Sequence, residues 1–356
     1  MPDKVELFVN KMRIEHFMSY KVDADLYTPA DAFSLDLANP EAQIKAGHQC
    51  ELQINGTLEM TGIIDKVTRK IGKNGVSLAV EGRDLMGLLI DSFCAPKDWI
   101  DLQNIKLKAL AERLLMDIPF IELKNIDYQE NVVGKLKSKK KSSSGGGFLS
   151  ALDGEQKIAH IDAGMTIFEV LRNYSLSRGM LFYCEPSGRF VFGRPLAKGE
   201  PSFSLTLRKS GRGNNVIESE TVNDISRRYS KVLVVGQQQG NNETAADQIN
   251  ISGSHEDSTY PFQKLYVTRH NDDSVSPNMR ARMIMEKQRR EGAQLTYTVG
   301  RHQQNGINWS VNSICRVVDE AQNIEGDYLI YGRTFEMNKQ TGPITRLRLG
   351  APGIVA

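Results

Sequence analysis

The densest chemistry in the chain is cationic. Lys135, Lys137, Lys139, Lys140 and Lys141 place five ammonium groups in the seven positions of "KLKSKKK", and "SSSGGG" follows directly. No acidic residue lies between Asn131 and Ser150, so the lysines repel one another and favour an extended chain. The serines and glycines behind them add flexibility. A nucleic-acid arm usually carries arginine for bidentate contacts or aromatics for stacking, and this run has neither. Three readings stay open: a solvated loop tip, a contact with an acidic partner surface, and a transient contact with DNA. Phosphate contacts alone would give binding that falls steeply with salt.

A second basic group lies on one helix. "SPNMRARMIMEKQRREG" has Ser276 as its N-cap and Pro277 in the first turn. Arg280, Arg282, Lys287, Arg289 and Arg290 stand there against Glu286 and Glu291. A solvated face and a contact with a subunit or tube fit this pattern equally. We carry Arg280, Arg282, Arg289 and Arg290 as candidate contact residues.

The remaining reactive types are dispersed. His16, His48, His160, His255, His270 and His302 include no i, i+4 pair of the kind that holds zinc on a helix. "SHEDS" at 254–258 groups one histidine with two carboxylates, but in a polar stretch that reads as solvated loop. Cys50, Cys94, Cys184 and Cys315 form no CxxC pair and sit beside apolar residues, as buried free thiols do. No nucleophile elbow, dinucleotide fingerprint or Walker lysine occurs. "GRG" and "GQQQG" lack the following helix that a phosphate cradle requires. The expectation is a protein that is not an enzyme, with no cofactor and no metal.

The elements that would carry these groups are mostly strands. Across residues 1–94 short alternating runs are punctuated by Asn10-Lys11, Asn55-Gly56 and Asn74-Gly75, which read as hairpin turns. From about Cys94 the period becomes helical. Leu107, Leu110, Leu114 and Leu115 share one face, and Thr166 with Glu169 forms a capping box ahead of a second helix. The hairpin "MLFYCEPSGRFVFGRP" follows. After it, "SKVLVVGQ" reads as a strand, 240–260 as a long polar loop, and 293–350 as strands again. Trp309 reads as core or hairpin-end packing.

These patterns divide the chain into residues 1–94, a β-barrel-like unit, and 95–215, a small α+β domain with the insertion at 135–147. Residues 216–356 form a second barrel-like unit with one helix at about 276–291. The fold class is therefore α+β and β-rich. The chain has 356 residues, enough for several cores. Lys plus Arg number 45 against 43 acidic residues, so the global surplus of a nucleic-acid binder is missing. The N-terminus shows no apolar signal region and no run is long enough to span a bilayer, so no membrane anchor is expected.

The two β regions also rhyme. A strand holding Cys50 leads to "TGIIDKVTRKIGKNGVSLAVEGR", and a strand holding Cys315 leads to "GDYLIYGRTFEMNKQTGPITRLRLG". Both run strand, Lys-containing turn with Gly, strand. Two copies of one unit per chain would let three chains form a ring of six like units.

Several segments, taken in order, resemble the baseplate hub proteins of Mu-like contractile-tailed phages. They are "DAFSLDLAN", "GRDLMGLLIDSF" and "DAGMTIFEVLRNYSLSRGMLFY", then "NVIESETVNDISRRYSKVLVVGQ" and "GINWSVNSICRVVDE…YLIYGRTFEMNKQTGPITRLRLG". The resemblance covers nearly the whole chain, although no single motif is diagnostic. It implies two tube-type barrels flanking the α+β domain, and a homotrimeric hub ring with pseudo-sixfold symmetry in the virion tail baseplate. The implied partners are other copies of the chain, the trimeric baseplate spike and the tail tube or adjoining baseplate proteins. Assembly would take place in the bacterial host cytoplasm. The alternative is a nucleic-acid-binding tail protein acting through the basic 135–141 loop.

Overall fold

The computed structural model describes residues 3–38, 43–73, 75–98, 105–129, 161, 163–177, 179–237, 250–269 and 276–355. The N-terminal region supplies seven strands: β1 (Val5–Val9), β2 (Met12–Ile14), β3 (Phe17–Asp25), β4 (Ala32–Ala38), β5 (Gln49–Ile54), β6 (Thr57–Gly72) and β7 (Gly75–Asp84). Its tight turns have the chemistry the sequence advertises. Asn10 and Lys11 take φ of 49° and 66°, and Asn55 and Gly56 take 54° and 78°. Positive φ at both central residues matches the twist of a two-residue hairpin.

The middle region carries α1 (Met86–Asp91), α2 (Leu107–Leu115) and α3 (Ile167–Ser177), with the short strands β8 (Asp127–Tyr128), β9 (Leu181–Cys184) and β10 (Phe190–Gly193). Leu107, Leu110, Leu114 and Leu115 are all buried. The capping box of α3 is reciprocal: Glu169 N–H donates to Thr166 Oγ1 at 3.1 Å, and Thr166 N–H donates to Glu169 Oε2 at 2.8 Å. Stacked rings, with Phe182 and Phe192 4.4 Å apart, fill the space between helices and hairpin.

The C-terminal region holds β11 (Phe203–Leu207), β12 (Val216–Asn223), β13 (Lys231–Gln237), β14 (Asn250–Glu256), β15 (Leu265–Arg269), α4 (Pro277–Gly292), β16 (Ala293–Gly300), β17 (Gln303–Gln304), β18 (Ile307–Asn308), β19 (Ser313–Asp319), β20 (Ile324–Asn338) and β21 (Gly342–Gly350). Ser276 caps α4 as expected, its Oγ accepting from Met279 N–H at 3.2 Å, with Pro277 in the first turn. The polar segment read as a loop differs in part. Residues 250–256 form β14, antiparallel to β13, and α4 covers one face of the β14-β13-β15 sheet.

The β-rich α+β class holds. The expected pair of separate barrels takes another form, because both end regions share one 13-stranded sheet, ordered β12-β16-β21-β20-β3-β4-β7-β6-β5-β1-β2 with β19 and β11 branching from β20. Neither end closes on itself through its ladder. The reason is the pairing of β3 with β20, in which Val22 meets Phe335 and Asp25 meets Gly332. One core, running from Val5 to Leu349, therefore underlies both ends. Buried contacts fasten the seam. Tyr20 Oη lies 2.7 Å from His302 Nε2, and Asn308 Nδ2 donates to Glu59 Oε1 at 2.6 Å.

Candidate functional site

The residues that suggested chemistry do not converge. Among the described residues no group of His, Cys, Asp and Glu could hold a metal ion. His302 is fully buried, and burial lowers its imidazole to about 4, so it stands neutral in the core. Asp257 of "SHEDS" is buried, not solvated. It accepts from Arg228 Nη2 at 2.8 Å and from Thr259 Oγ1 at 2.6 Å, an arrangement that fixes a corner. Cys50, Cys94 and Cys315 are buried free thiols, and Cys184 is half-buried. A cavity of about 250 Å³ beside the β5–β6 hairpin is lined by Glu51, Thr61, Glu122 and Ser187 without a histidine or cysteine to activate a nucleophile. No helix among the described residues is long and apolar enough to cross a membrane.

The basic candidates separate. Lys135, Lys137, Lys139, Lys140 and Lys141 lie outside the described residues. On α4, Arg282 pairs with Glu286 at 2.6 Å and Arg289 approaches Asp257 at 3.6 Å. Arg290 lies 4.0 Å over the Tyr27 ring, so it ties α4 to the N-terminal region. Arg280 is half-buried.

What the fold does build is a repeat. The meander β5-β6-β7 is matched by β19-β20-β21, and β4 and β3 on its flank by β16 and β12. The match extends to irregularities. Each β6-type strand has a bulge facing its neighbour, between Ile64 and Lys66 in one copy and between Ile330 and Gly332 in the other. Each β3-type strand also has one, between Phe17 and Ser19 and between Val216 and Glu218. Cys50 pairs with Gly62 and Cys315 with Tyr328 at the same rung. Beyond that rung, Gly47 N–H donates to Ile64 O, and Asn312 N–H donates to Ile330 O, both at 2.8 Å. Bulges are placed features of a strand and do not recur in register by accident of hairpin shape. The copies differ where β1 joins β5 antiparallel and β11 joins β19 parallel, and the β5–β6 pair has a further bulge between Leu52 and Gln53 that β19–β20 lacks.

The repeat exposes two open edges. In the C-terminal copy the far half of β20, Gly332–Met337, is covered by β3. Its counterpart, the far half of β6 from Lys66, has β7 on one side and no strand on the other among the described residues. The counterpart of β3 is β12, which among the described residues pairs only with β16 and ends the sheet. The chain thus contains one filled joint and the two unfilled halves of a second. The β6 edge is basic, with Lys66, Arg69 and Lys70, and the β12 edge is acidic, with Glu218, Glu220 and, next in line, Asp224. Sequence reading passed over both edges, although the acidic "ESETVND" and the basic "DKVTRK" were visible signals.

Comparison with known proteins agrees with this architecture. Residues 4–84 match the family model of the N-terminal region of Mu phage baseplate assembly protein GpP-like proteins. The chain is 23% identical to the baseplate hub protein gp44 of Escherichia phage Mu, over 98% of this chain and 88% of that protein. It superposes on a tail protein from Neisseria meningitidis MC58 with a TM-score of 0.79 and 24% identity, covering 98% of this chain and 96% of that one. The 43 kDa tail protein of prophage MuSo2 from Shewanella oneidensis gives a TM-score of 0.77 and 19% identity, covering 98% of each chain. The resemblance to Mu-like baseplate hub proteins read from the sequence is thereby borne out.

Proposed function

We propose that this protein is a structural hub in the tail baseplate of a Mu-like phage or prophage. Three copies would close a ring of six like modules, a surface that suits a hexameric tail tube on one side and a trimeric spike on the other. The N-terminal module spans residues 1–94 and the C-terminal module 216–356. Residues 95–215 form the α+β domain between them, which would project toward the spike. The work is adaptation of symmetry: two similar modules per chain turn threefold order into near-sixfold order.

The observation that carries this reading is the register match of the two modules, whose β6- and β3-type strands each carry a bulge at the same rung. The alignment with a Mu hub protein over 98% of the chain supports the same role. Assembly in the host cytoplasm and residence in the virion tail follow from it.

Light scattering coupled to size exclusion tests the ring. A particle of three chains is expected at micromolar concentration, with a six-lobed ring in negative-stain images. A clean monomer would overturn the reading.

A further inference from the structure

The filled joint is a template for the unfilled one. In the β3–β20 joint, Asp25 stands opposite Gly332, Asp23 opposite Thr334, Lys21 opposite Glu336 and Tyr20 opposite Met337. The bulges fix which residue corresponds to which. Gly332, Thr334, Glu336 and Met337 of β20 correspond to Lys66, Thr68, Lys70 and Ile71 of β6. Tyr20, Lys21, Asp23 and Asp25 of β3 correspond to Ser219, Glu220, Val222 and Asp224.

We infer that the β12 edge of one copy adds antiparallel onto the far half of β6 in a second copy, with Asp224 opposite Lys66, Val222 opposite Thr68 and Glu220 opposite Lys70. This rests on the hub-ring reading and names the joint between its subunits. Main-chain hydrogen bonds along an open strand edge supply the adhesion.

Charge supports the register. At the internal joint Lys21 on β3 stands opposite Glu336 on β20, whose carboxylate is held by Arg346 at 3.0 Å; at the proposed joint Glu220 on β12 would stand opposite Lys70 on β6. The signs are reversed. At this rung wrong pairings meet repulsion, since β3 on β6 sets Lys21 against Lys70, and β12 on β20 sets Glu220 against Glu336, whereas the Asp25 rung of β3 would meet Lys66 and does not discriminate. Opposed like charges on a sheet are destabilising. Arg69, Lys70, Glu218 and Glu220 form no ion pair among the described residues, so all four are available. Lys66 is held by Glu81 at 3.0 Å and gains Asp224 as a second partner.

Apolar exposure follows the same line. Leu26, just beyond β3, is 7% exposed and its N–H donates to Tyr331 O at 2.9 Å. Its counterpart beyond β12 is Ile225, 40% exposed, whose N–H would donate to Asp65 O. Ile71, at 79%, is the counterpart of Met337, which packs against the core in the internal joint. The contact is heterologous, head to tail, so it propagates around an axis and closes when the rotation per joint allows.

Charge reversal tests it. K66E/K70E and E220K/D224K should each raise the concentration for half-assembly at least tenfold, and the quadruple variant should restore assembly. Lys66, Lys70 and Glu220 are exposed; Asp224 is half-buried and its Oδ1 accepts from Ser226 N–H at 2.7 Å, so E220K alone, expected to weaken assembly in the same direction, is measured beside the double variant, with circular dichroism confirming the fold of each. Independently, Thr68→Cys with Val222→Cys should form a disulfide between copies on oxidation, whereas Thr68→Cys with Glu218→Cys should not. An assembled wild type with both reversed variants still assembled and no cross-link would overturn the joint and leave the hub reading standing. A monomeric wild type would overturn both.

Discussion

Arg333 Nη1 on β20 donates to Glu59 Oε2 on β6, and the pair sits inside the seam between the two modules, 2% and 6% exposed. Arg333 also donates to Trp309 O at 2.8 Å, and Asn308 supplies a hydrogen bond to the other Glu59 oxygen. Both Glu59 oxygens are thus satisfied, and the Arg333 guanidinium stacks 3.9 Å over the Phe335 ring while its buried Nε makes no hydrogen bond among the described residues.

Removing one partner strands the other in the core. Arg333→Ala should lower unfolding free energy by about 3–5 kcal/mol, while a Glu59→Gln/Arg333→Met double variant should recover most of that loss. Denaturant titration of the three proteins measures it. A single-variant loss below about 1 kcal/mol would show that the pair does not hold the seam.

A close backbone approach sets the next expectation. A Cβ at Gly82 would lie 2.4 Å from Ile63 O and 2.6 Å from the Phe33 ring, whereas one at Gly72 meets nothing within 4 Å. Gly82→Ala should therefore destabilise by about 1–3 kcal/mol, as overpacking does, and Gly72→Ala should stay within about 0.5 kcal/mol. Equal effects at the two sites would contradict the packing described around β7.

Much of this was legible in the residues. Asn10-Lys11 and Asn55-Gly56 announced their turns, Thr166 and Glu169 their helix start, and the two cysteine-bearing strands announced the repeat. The β3–β20 joint was not legible, because pairing of Val22 with Phe335 leaves no local trace across that separation. Strand β14 escaped because "NISGSHE" has no apolar alternation; its stability comes from β13 and from α4, whose Pro277 and Asn278 lie against Gly253. Asp257 read as solvated because its partner Arg228 is distant in sequence.

His302 makes the core pH-sensitive. Thr345 Oγ1 gives its proton to Arg301 O at 2.6 Å, so it accepts from His302 Nδ1–H, and Nε2 is left to accept from Tyr20 Oη–H. Both ring nitrogens are satisfied only in the neutral form. Burial puts the folded value at about 4, below the ordinary ~6.5 of the unfolded chain. The unfolded state thus binds the proton first, and this stability is present above pH ~6.5 and lost as pH falls toward 4. The full loss is on the order of 3 kcal/mol. The stability gap between wild type and His302→Gln should narrow by about 2 kcal/mol or more from pH 7.5 to 4.5. A constant gap would sink the assignment.

Asp31 works in the opposite direction. Its Oδ1 accepts from Asp25 N–H at 2.8 Å, its carbonyl accepts from Asp84 N–H at 3.0 Å, and the buried Asp84 lies beside it. Loss of water raises both carboxyls; the Asp31 charge raises Asp84 further, and the Asp23 and Asp25 charges raise Asp31. A folded value above that of the unfolded chain means the native state keeps its proton longer, so stability is lost as pH rises above about 4. Asp31→Asn retains the Oδ1 acceptor and cannot ionise. It should be more stable than wild type at pH 8 by at least about 1 kcal/mol, the worth of one pKa unit, and lose that advantage near pH 4. Denaturant midpoints at the two pH values decide it; a variant weaker than wild type at pH 8 would mean the ionised carboxylate is a fastening of the β3–β4 turn.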